Sequence, residues 1–251
     1  MAHQTAAAER LDSMRVGDFH PRTIGDDPVL LERSYRLRYQ VYCVERRFLN
    51  AGDYPDQLET DEFDGDSVHV GAVDMFGELA ATARIVKPNG RGFPMFRHCA
   101  LFPDVPTLNQ PGTVPVEVSR VSISRSYVRR ERRRRTEPFL TLLNAVIRAA
   151  KRAGATHLIG ATDAALHRWL VHYGFPYRFV GPEVDYYGLV APCIMSLHEL
   201  DEIILGGQYA SLDGFPVGWE PSLWPGQGGY GVPPPASVAG AASGGWQPIH
   251  P

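Results

Sequence analysis

Cysteine is scarce in this chain and unhelpfully spaced. Cys43, Cys99 and Cys193 are the three in 251 residues, and no two form a C-x-x-C pair. Neither a disulfide framework nor a zinc site is expected, and a reducing, cytoplasmic setting fits such usage. No apolar run approaches the roughly 20 residues of a membrane helix. The first fifteen residues mix Ala with His, Gln, Glu and Arg and lack the apolar core of a signal peptide. Internal repeats are absent. The net charge of −3 gives no general attraction to nucleic acid or acidic membranes. What the chain does have is 44% hydrophobic and 10% aromatic content, ample for one large packed domain.

Pattern divides the sequence into three parts. Residues 1–25 carry little periodicity and are expected to form a mobile arm. Residues 206–251 are rich in Gly, Pro, Ser and Ala and read as a disordered tail. The domain is expected over residues 26–205. Asp26 and Asp27 offer an N-cap and Pro28 a first helical position, which together predict a helix running through Val44. Its core stripe is Leu30, Leu31, Ser34, Leu37 and Val41. Tyr35, Arg38 and Tyr42 form a second stripe, which either lines a pocket or lets the arginine snorkel over the rings to solvent.

The chain is then acidic and turn-rich from Asn50 to Asp66. Asp61-Glu-Phe-Asp64 stands out because Phe63 anchors it and a strand follows. Two carboxylates there suit a cation or a protonated amine, and without a Gly-centred ligand loop no metal is expected. Ser67–Asp74 and Glu78–Val86 read as a hairpin about Met75-Phe76-Gly77. Arg84 interrupts the second strand and demands a carboxylate partner, with Asp61, Asp64 and Glu117 as candidates. In the long connection that follows, Phe93, Met95, Phe96, Leu101 and Phe102 either cover an apolar tunnel or lid the core. His98-Cys99 lies within it, and sequence neighbours of this kind seldom face each other as a catalytic dyad.

Pro115–Ser124 carries the strongest chemical signal. Val116 and Val118 alternate as in a half-buried strand, and so do Val121 and Ile123, but the phase slips by one between the two pairs. An inserted residue, a β-bulge, produces such a slip. Glu117 and Arg120 then share the face opposite the valines. That arrangement is either a structural ion pair or a place to hold a carbonyl and deprotonate an amine. Arg129-Arg-Glu-Arg-Arg-Arg-Arg135 precedes a predicted helix over Thr136–Ala153. It is a solvated face, a dock for phosphate or an acidic protein, or a nucleic-acid contact lacking aromatic residues for base stacking. A strand from Thr156 to Thr162, a helix capped by Asp163, and closing strands around Tyr177–Val180 and Leu189–Leu197 complete the order.

That order resembles the GNAT acyltransferase fold: α/β (α+β), a mixed central sheet with helices on both faces and a bulged central strand. Arg38-Tyr-Gln-Val-Tyr42, Asp61-Glu-Phe-Asp64, Ala83-Arg-Ile-Val86 and Glu117-Val-Ser-Arg120 are similar, in sequence order, to the active-site motifs of acyl-homoserine-lactone synthases. Tyr35–Glu45 and Leu58–Asp64 with Ser67-Val-His69 resemble still more closely the PEP-CTERM/exosortase-associated acyltransferases and N-acyl amino-acid synthases. Two departures stand out. Phe48 occupies the place of a tryptophan in the lactone synthases, and the arginine run replaces the glycine-rich turn with which ordinary GNAT enzymes hold CoA.

The resemblance implies an N-acyltransferase taking a fatty acyl group from an acyl carrier protein or CoA thioester to a small primary amine, with no bound cofactor. Glu117, Asp61, Arg84 and Arg120 are the catalytic set it implies. Arg38, Tyr42, Asp64, Phe96 and Ser119 would contact substrate, and Arg129, Arg130, Arg132 and Arg133 would dock the carrier protein or a phosphate. Two alternatives remain at this point: a lactone synthase consuming S-adenosylmethionine, and a non-enzymatic module binding nucleic acid or an acidic protein through the arginine run.

Overall fold

The computed structural model describes residues 18–103, 105, 108, 110–125 and 136–205. Among the described residues eight strands form one sheet system. β1 (Phe19–Thr23), β2 (Ser67–Asp74), β3 (Leu79–Val86) and β4 (Pro115–Ile123) pair antiparallel in that order. β4 then runs parallel to β5 (His157–Thr162), and β5 pairs antiparallel with β8 (Leu189–Ser196). The short β6 (Arg178–Phe179) and β7 (Val184–Asp185) both pair with β8. The helices are α1 (Pro28–Tyr39), α2 (Glu137–Arg152), α3 (Ala164–His172) and α4 (Leu197–Leu205). This is a mixed α/β sheet fold of the GNAT kind.

Local chemistry sets the element ends. Asp27 Oδ1 accepts the N–H groups of Val29 and Leu30, both at 3.1 Å, and Pro28 opens α1 without a donor to waste. Asp163 Oδ1 caps α3 through the Leu166 N–H at 2.7 Å. At the β2–β3 hairpin, Asp74 Oδ1 accepts from Phe76 and Glu78, and Gly77 takes φ +81°.

β3 shows how the layers form. Ala81, Ala83 and Ile85 belong to the main core, which holds Phe139, Leu142, Val146 and Ala150 of α2. Thr82 and Arg84 therefore point to the opposite face, where Arg84 and Arg38 of α1 meet on Asp64.

Three expectations need correction. The domain begins before residue 26, because Phe19–Thr23 already pairs with β2 and Phe19 is buried. α1 does not continue as an α-helix to Val44: residues Gln40–Glu45 form a π-helical turn. α4 extends the chain beyond the last expected strand. Residues 206–251, the expected tail, lie outside the described residues, as do residues 1–17. Cys43, Cys99 and Cys193 are buried and free. No described helix is long and apolar enough to cross a membrane.

Candidate active site

Two irregularities in β4 build the site. The first is the bulge. Thr82 faces Ser122 and Arg84 faces Ser119, so Arg120 and Val121 together oppose Ala83. The extra residue lies where the valine alternation slips. Arg120 takes the left-handed conformation, φ +55°, which costs a non-glycine residue roughly 1 kcal/mol and persists where neighbours hold it. Val116 remains in the main core, with Val118, Val121 and Ile123 packed against it. Arg120 instead reaches Glu59 and Asp61 on the α1 face.

The second irregularity is a splay. β4 and β5 pair at Pro115–His157, Val116–Leu158 and Glu117–Ile159, and the pairing ends there. Beyond it the strands part around a cleft of about 470 Å³ that passes through the sheet. On the α1 face its walls include Tyr42, Ser119 and Arg120; on the α2 face they include Phe139, Leu143, Leu166 and Leu170. Gly160 sits at the parting. A Cβ there would stand 2.9 Å from the Val118 carbonyl oxygen, a backbone atom that cannot swing aside. Gly160→Ala is expected to destabilise the fold by about 1–3 kcal/mol, measured as a lowered urea midpoint; an unchanged midpoint would mean the strands separate without a close approach.

Above the bulge six charged side chains close a ring. Arg38 binds Glu59 (2.5 Å) and Asp64 (2.7 and 3.0 Å). Arg84 binds Asp64 (2.9 Å) and chelates Asp61. Arg120 joins Asp61 to Glu59, each at 3.0 Å. Three guanidiniums alternate with three carboxylates, so the ring is electrically neutral. Arg38, Arg84 and Glu59 are at most 1% exposed, and Asp61 and Arg120 keep somewhat more accessible surface at the rim. Burial pushes the Asp64 carboxyl up, but Arg38 and Arg84 outweigh it and hold the group down at about 2. Asp61 is likewise held low by Arg84 and Arg120 against the effect of burial. The Arg84 partner expected from sequence is thus Asp61 and Asp64, not Glu117.

Glu117 stands outside the ring. It is 3% exposed, and burial raises its carboxyl to about 7 against the pull of the Met95 N–H, Arg84 and Arg120. Its Oε2 accepts that N–H at 2.9 Å, while Oε1 has no hydrogen-bond partner among the described residues. A carboxyl poised near neutrality with one free oxygen can take a proton and give it back.

Of the other expected residues, Tyr42 donates its hydroxyl to the Val121 carbonyl at 3.3 Å and lies under the Arg120 guanidinium, 5.5 Å from ring centre. Ser119 Oγ accepts from Arg84 Nε at 3.3 Å. Phe96 corrects a sequence expectation. It is 41% exposed, packs on Phe93, and does not line the cleft. The turn Pro94–Arg97 aims Met95 inward instead, into a small cluster with Ile159, Val180 and Ile194, so this segment lids the core. Arg129, Arg130, Arg132 and Arg133 lie outside the described residues.

Sequence reasoning missed Glu59 as a site residue. The available signal was charge arithmetic: three inward arginines need three ionised carboxylates, and Asp61 and Asp64 supply two.

Residues 37–140 match the model of the acetyltransferase (GNAT) domain. The match covers less than half of the chain, and the fold agrees with it: this stretch is similar to a GNAT acetyltransferase domain. Among similar solved structures is BjaI, a CoA-dependent acyl-homoserine lactone synthase with SAM and isopentyl-CoA. It is 19% identical, with TM-score 0.55 over 76% of this chain and 88% of that one. TofI, solved with an inhibitor and MTA, is 21% identical, with TM-score 0.54 over 82% and 100%. The AHL synthase LasI is 17% identical, with TM-score 0.52 over 75% and 93%. At these identities the likeness is one of fold. No curated protein matches the chain significantly.

Proposed function

We propose that the protein is an N-acyltransferase that moves a fatty acyl group from a carrier-protein or CoA thioester to a primary amine such as that of an amino acid. The observation carrying this reading is the double use of β4. On one side of the strand an apolar cleft can sheathe an acyl chain; on the other, Glu117 holds a free carboxyl oxygen beside a neutral ring of charges.

In this mechanism the acceptor arrives as an ammonium and meets the ring at its rim, where the Asp61 carboxylate has accessible surface. Glu117 takes one proton from it, directly or through a water. The free amine attacks the thioester carbonyl, and backbone N–H groups at the bulge stabilise the oxyanion that forms. Collapse of the tetrahedral intermediate breaks the C–S bond, and the second proton of the attacking nitrogen passes to the departing sulfur, leaving the neutral amide and the free thiol. Asp61, held low by two arginines, is the poorer base and serves to attract the ammonium. Arg84 and Arg120 fix Asp61, while Arg38 and Asp64 brace Arg84 from behind.

The test is direct. Purified protein is incubated with acyl carrier-protein and acyl-CoA donors, a panel of amino acids and S-adenosylmethionine, and products are read by mass spectrometry. N-acyl amino acids are expected. Their absence with every donor and acceptor would overturn the proposal, and a lactone formed with consumption of S-adenosylmethionine would redirect it.

A further inference from the structure

A base able to free an amine would as readily activate a water molecule, so Glu117 needs cover as well as a proton to move. It is 3% exposed. Part of the cover is the turn Pro94–Arg97. Met95 gives its N–H to Glu117 Oε2, and its carbonyl accepts the N–H of His98 at 3.1 Å. The rest comes from the turn between β7 and β8, where Tyr186 is half-buried beside Arg120 and Glu117. Burial raises its phenol above the ordinary value, Arg120 pulls the other way, and Glu117 adds to the rise. The two pieces meet ring on ring: His98 and Tyr186 stack with centroids 4.0 Å apart and planes 13° from parallel.

That stack ends a file of rings. Tyr42 meets Phe48 at 6.2 Å, Phe48 meets Tyr187 at 6.2 Å, and Tyr187 meets Tyr186 at 4.8 Å. Tyr42, Phe48 and Tyr187 also line the cleft. The file thus links the π-helical turn after α1, the β7–β8 turn and the Pro94–Arg97 segment around Arg120 and Glu117. Ring faces along it offer water few hydrogen-bond partners. Its middle span is lightly held, because β7 has two register pairs with β8, Val184–Val190 and Asp185–Leu189. Tyr187 takes the left-handed conformation, φ +57°, ahead of Gly188 at φ +108°. A residue with a side chain keeps that backbone at a cost, and here both tyrosines keep ring partners with it. His98 is exposed, so core packing does not force its contact with Tyr186.

We infer that Tyr186, clamped on His98, sets which nucleophile reaches the thioester: the file of rings shuts water out, and an amine held at Asp61 is what meets the acyl carbon. The inference rests on the acyl-transfer reading above. It makes Tyr186 a specificity-determining residue that works through its ring rather than its hydroxyl. With the cover gone, Glu117 takes a proton from water, the water oxygen bonds the thioester carbon, and the C–S bond breaks. The proton on Glu117 then passes to sulfur, leaving a fatty acid and a free thiol. Hydrolysis and transfer share one base, and the cover separates them.

The experiment measures the ratio of fatty acid to N-acyl product by mass spectrometry. Dodecanoyl-pantetheine, dodecanoyl-CoA and dodecanoyl carrier protein serve as donors, and a panel of amino acids as acceptors. The full-length native protein is compared with Tyr186→Ala, His98→Ala and Tyr186→Phe, each checked by its Tm. The native protein is expected to give amide with little acid. His98→Ala removes one ring pair and is expected to raise the ratio about two- to tenfold, the weight such a pair lends the closed state. Tyr186→Ala loses two ring contacts and should raise it further, with thiol release continuing when no amine is present. Tyr186→Phe keeps the ring and should keep the native ratio. Because His98 is exposed, His98→Ala decides the matter where Tyr186→Ala fails to fold. An unchanged ratio in the folded alanine variants would overturn the inference and leave acyl transfer standing. A ratio in Tyr186→Phe as high as in Tyr186→Ala would overturn it too, by assigning the effect to the hydroxyl. Native protein that forms no amide with any donor and acceptor would overturn both.

Discussion

Glu117→Gln is expected to lower kcat by at least about a hundredfold, the usual cost of losing a general base, while the protein stays folded and becomes more stable at alkaline pH. The two effects share one cause. Glutamine keeps the size of the side chain and an oxygen to accept the Met95 N–H, but it cannot take a proton. In the native protein the carboxyl is raised from 4.5 to about 7 by burial. Below pH 4.5 it is protonated in both folded and unfolded chains and exerts no pH-dependent effect. Between 4.5 and 7 the unfolded chain releases the proton while the folded one retains it, so stability falls as pH rises; above 7 the loss is complete. At 1.36 kcal/mol per pH unit that loss is on the order of 3 kcal/mol, and Glu117→Gln avoids it.

Denaturant unfolding at pH 8 and pH 4 should therefore show an advantage for Glu117→Gln that shrinks toward acid. The native rate should climb with pH and level off above about 7. A variant with near-normal turnover would remove Glu117 from the chemistry, and one that is inactive because it unfolds would assign the side chain a structural role.

The largest stability effect is expected at Glu59→Gln, about 3–5 kcal/mol, out of a total of roughly 5–15 kcal/mol for a typical domain. Glu59 is fully buried and bridges Arg38 and Arg120. Removing its charge leaves three guanidiniums against two carboxylates, with no water to screen the excess. Arg38→Met combined with Glu59→Gln restores neutrality. The double variant should recover part of the loss, giving a coupling well above the few tenths of a kcal/mol seen for independent sites. Strictly additive losses would show that the ring is a set of separate pairs. Acid should act on the same device: with Asp64 held at about 2, its share of stability is present above its ordinary value of 3.8 and is lost as pH falls through 2.

Features decided by local chemistry were the most legible in the sequence. The Val118-to-Val121 slip located the bulge, because alternation along a strand is a two-residue rule that one insertion must break. Arg84, alone among small apolar neighbours, announced a partner. The Asp27-Pro28 start and the Gly77 turn were likewise set by side chains next to the backbone they serve. Glu59 was obscured by its company in an acidic loop; its burial depends on α1 docking over that loop, a tertiary event. β1 was missed because an edge strand buries little, and His20-Pro-Arg22 shows no apolar alternation. Phe96 misled for the reverse reason: an aromatic-rich segment says that something is covered, not which ring does the covering. The parting of β4 from β5 is a relation between segments some forty residues apart, and neither strand signals it alone.

The parting has an evolutionary corollary. The gap is opened by main chain, yet its bore and lining are set by Phe139, Leu143, Leu166, Leu170 and Tyr177, none of which belongs to the charged ring. If an acyl tail occupies the cleft as proposed, exchanging those five would alter which tail is admitted and leave the charged ring as it was. On the acyl-transfer reading proposed above, the admitted chain can change one wall residue at a time while the ring of charges stays intact.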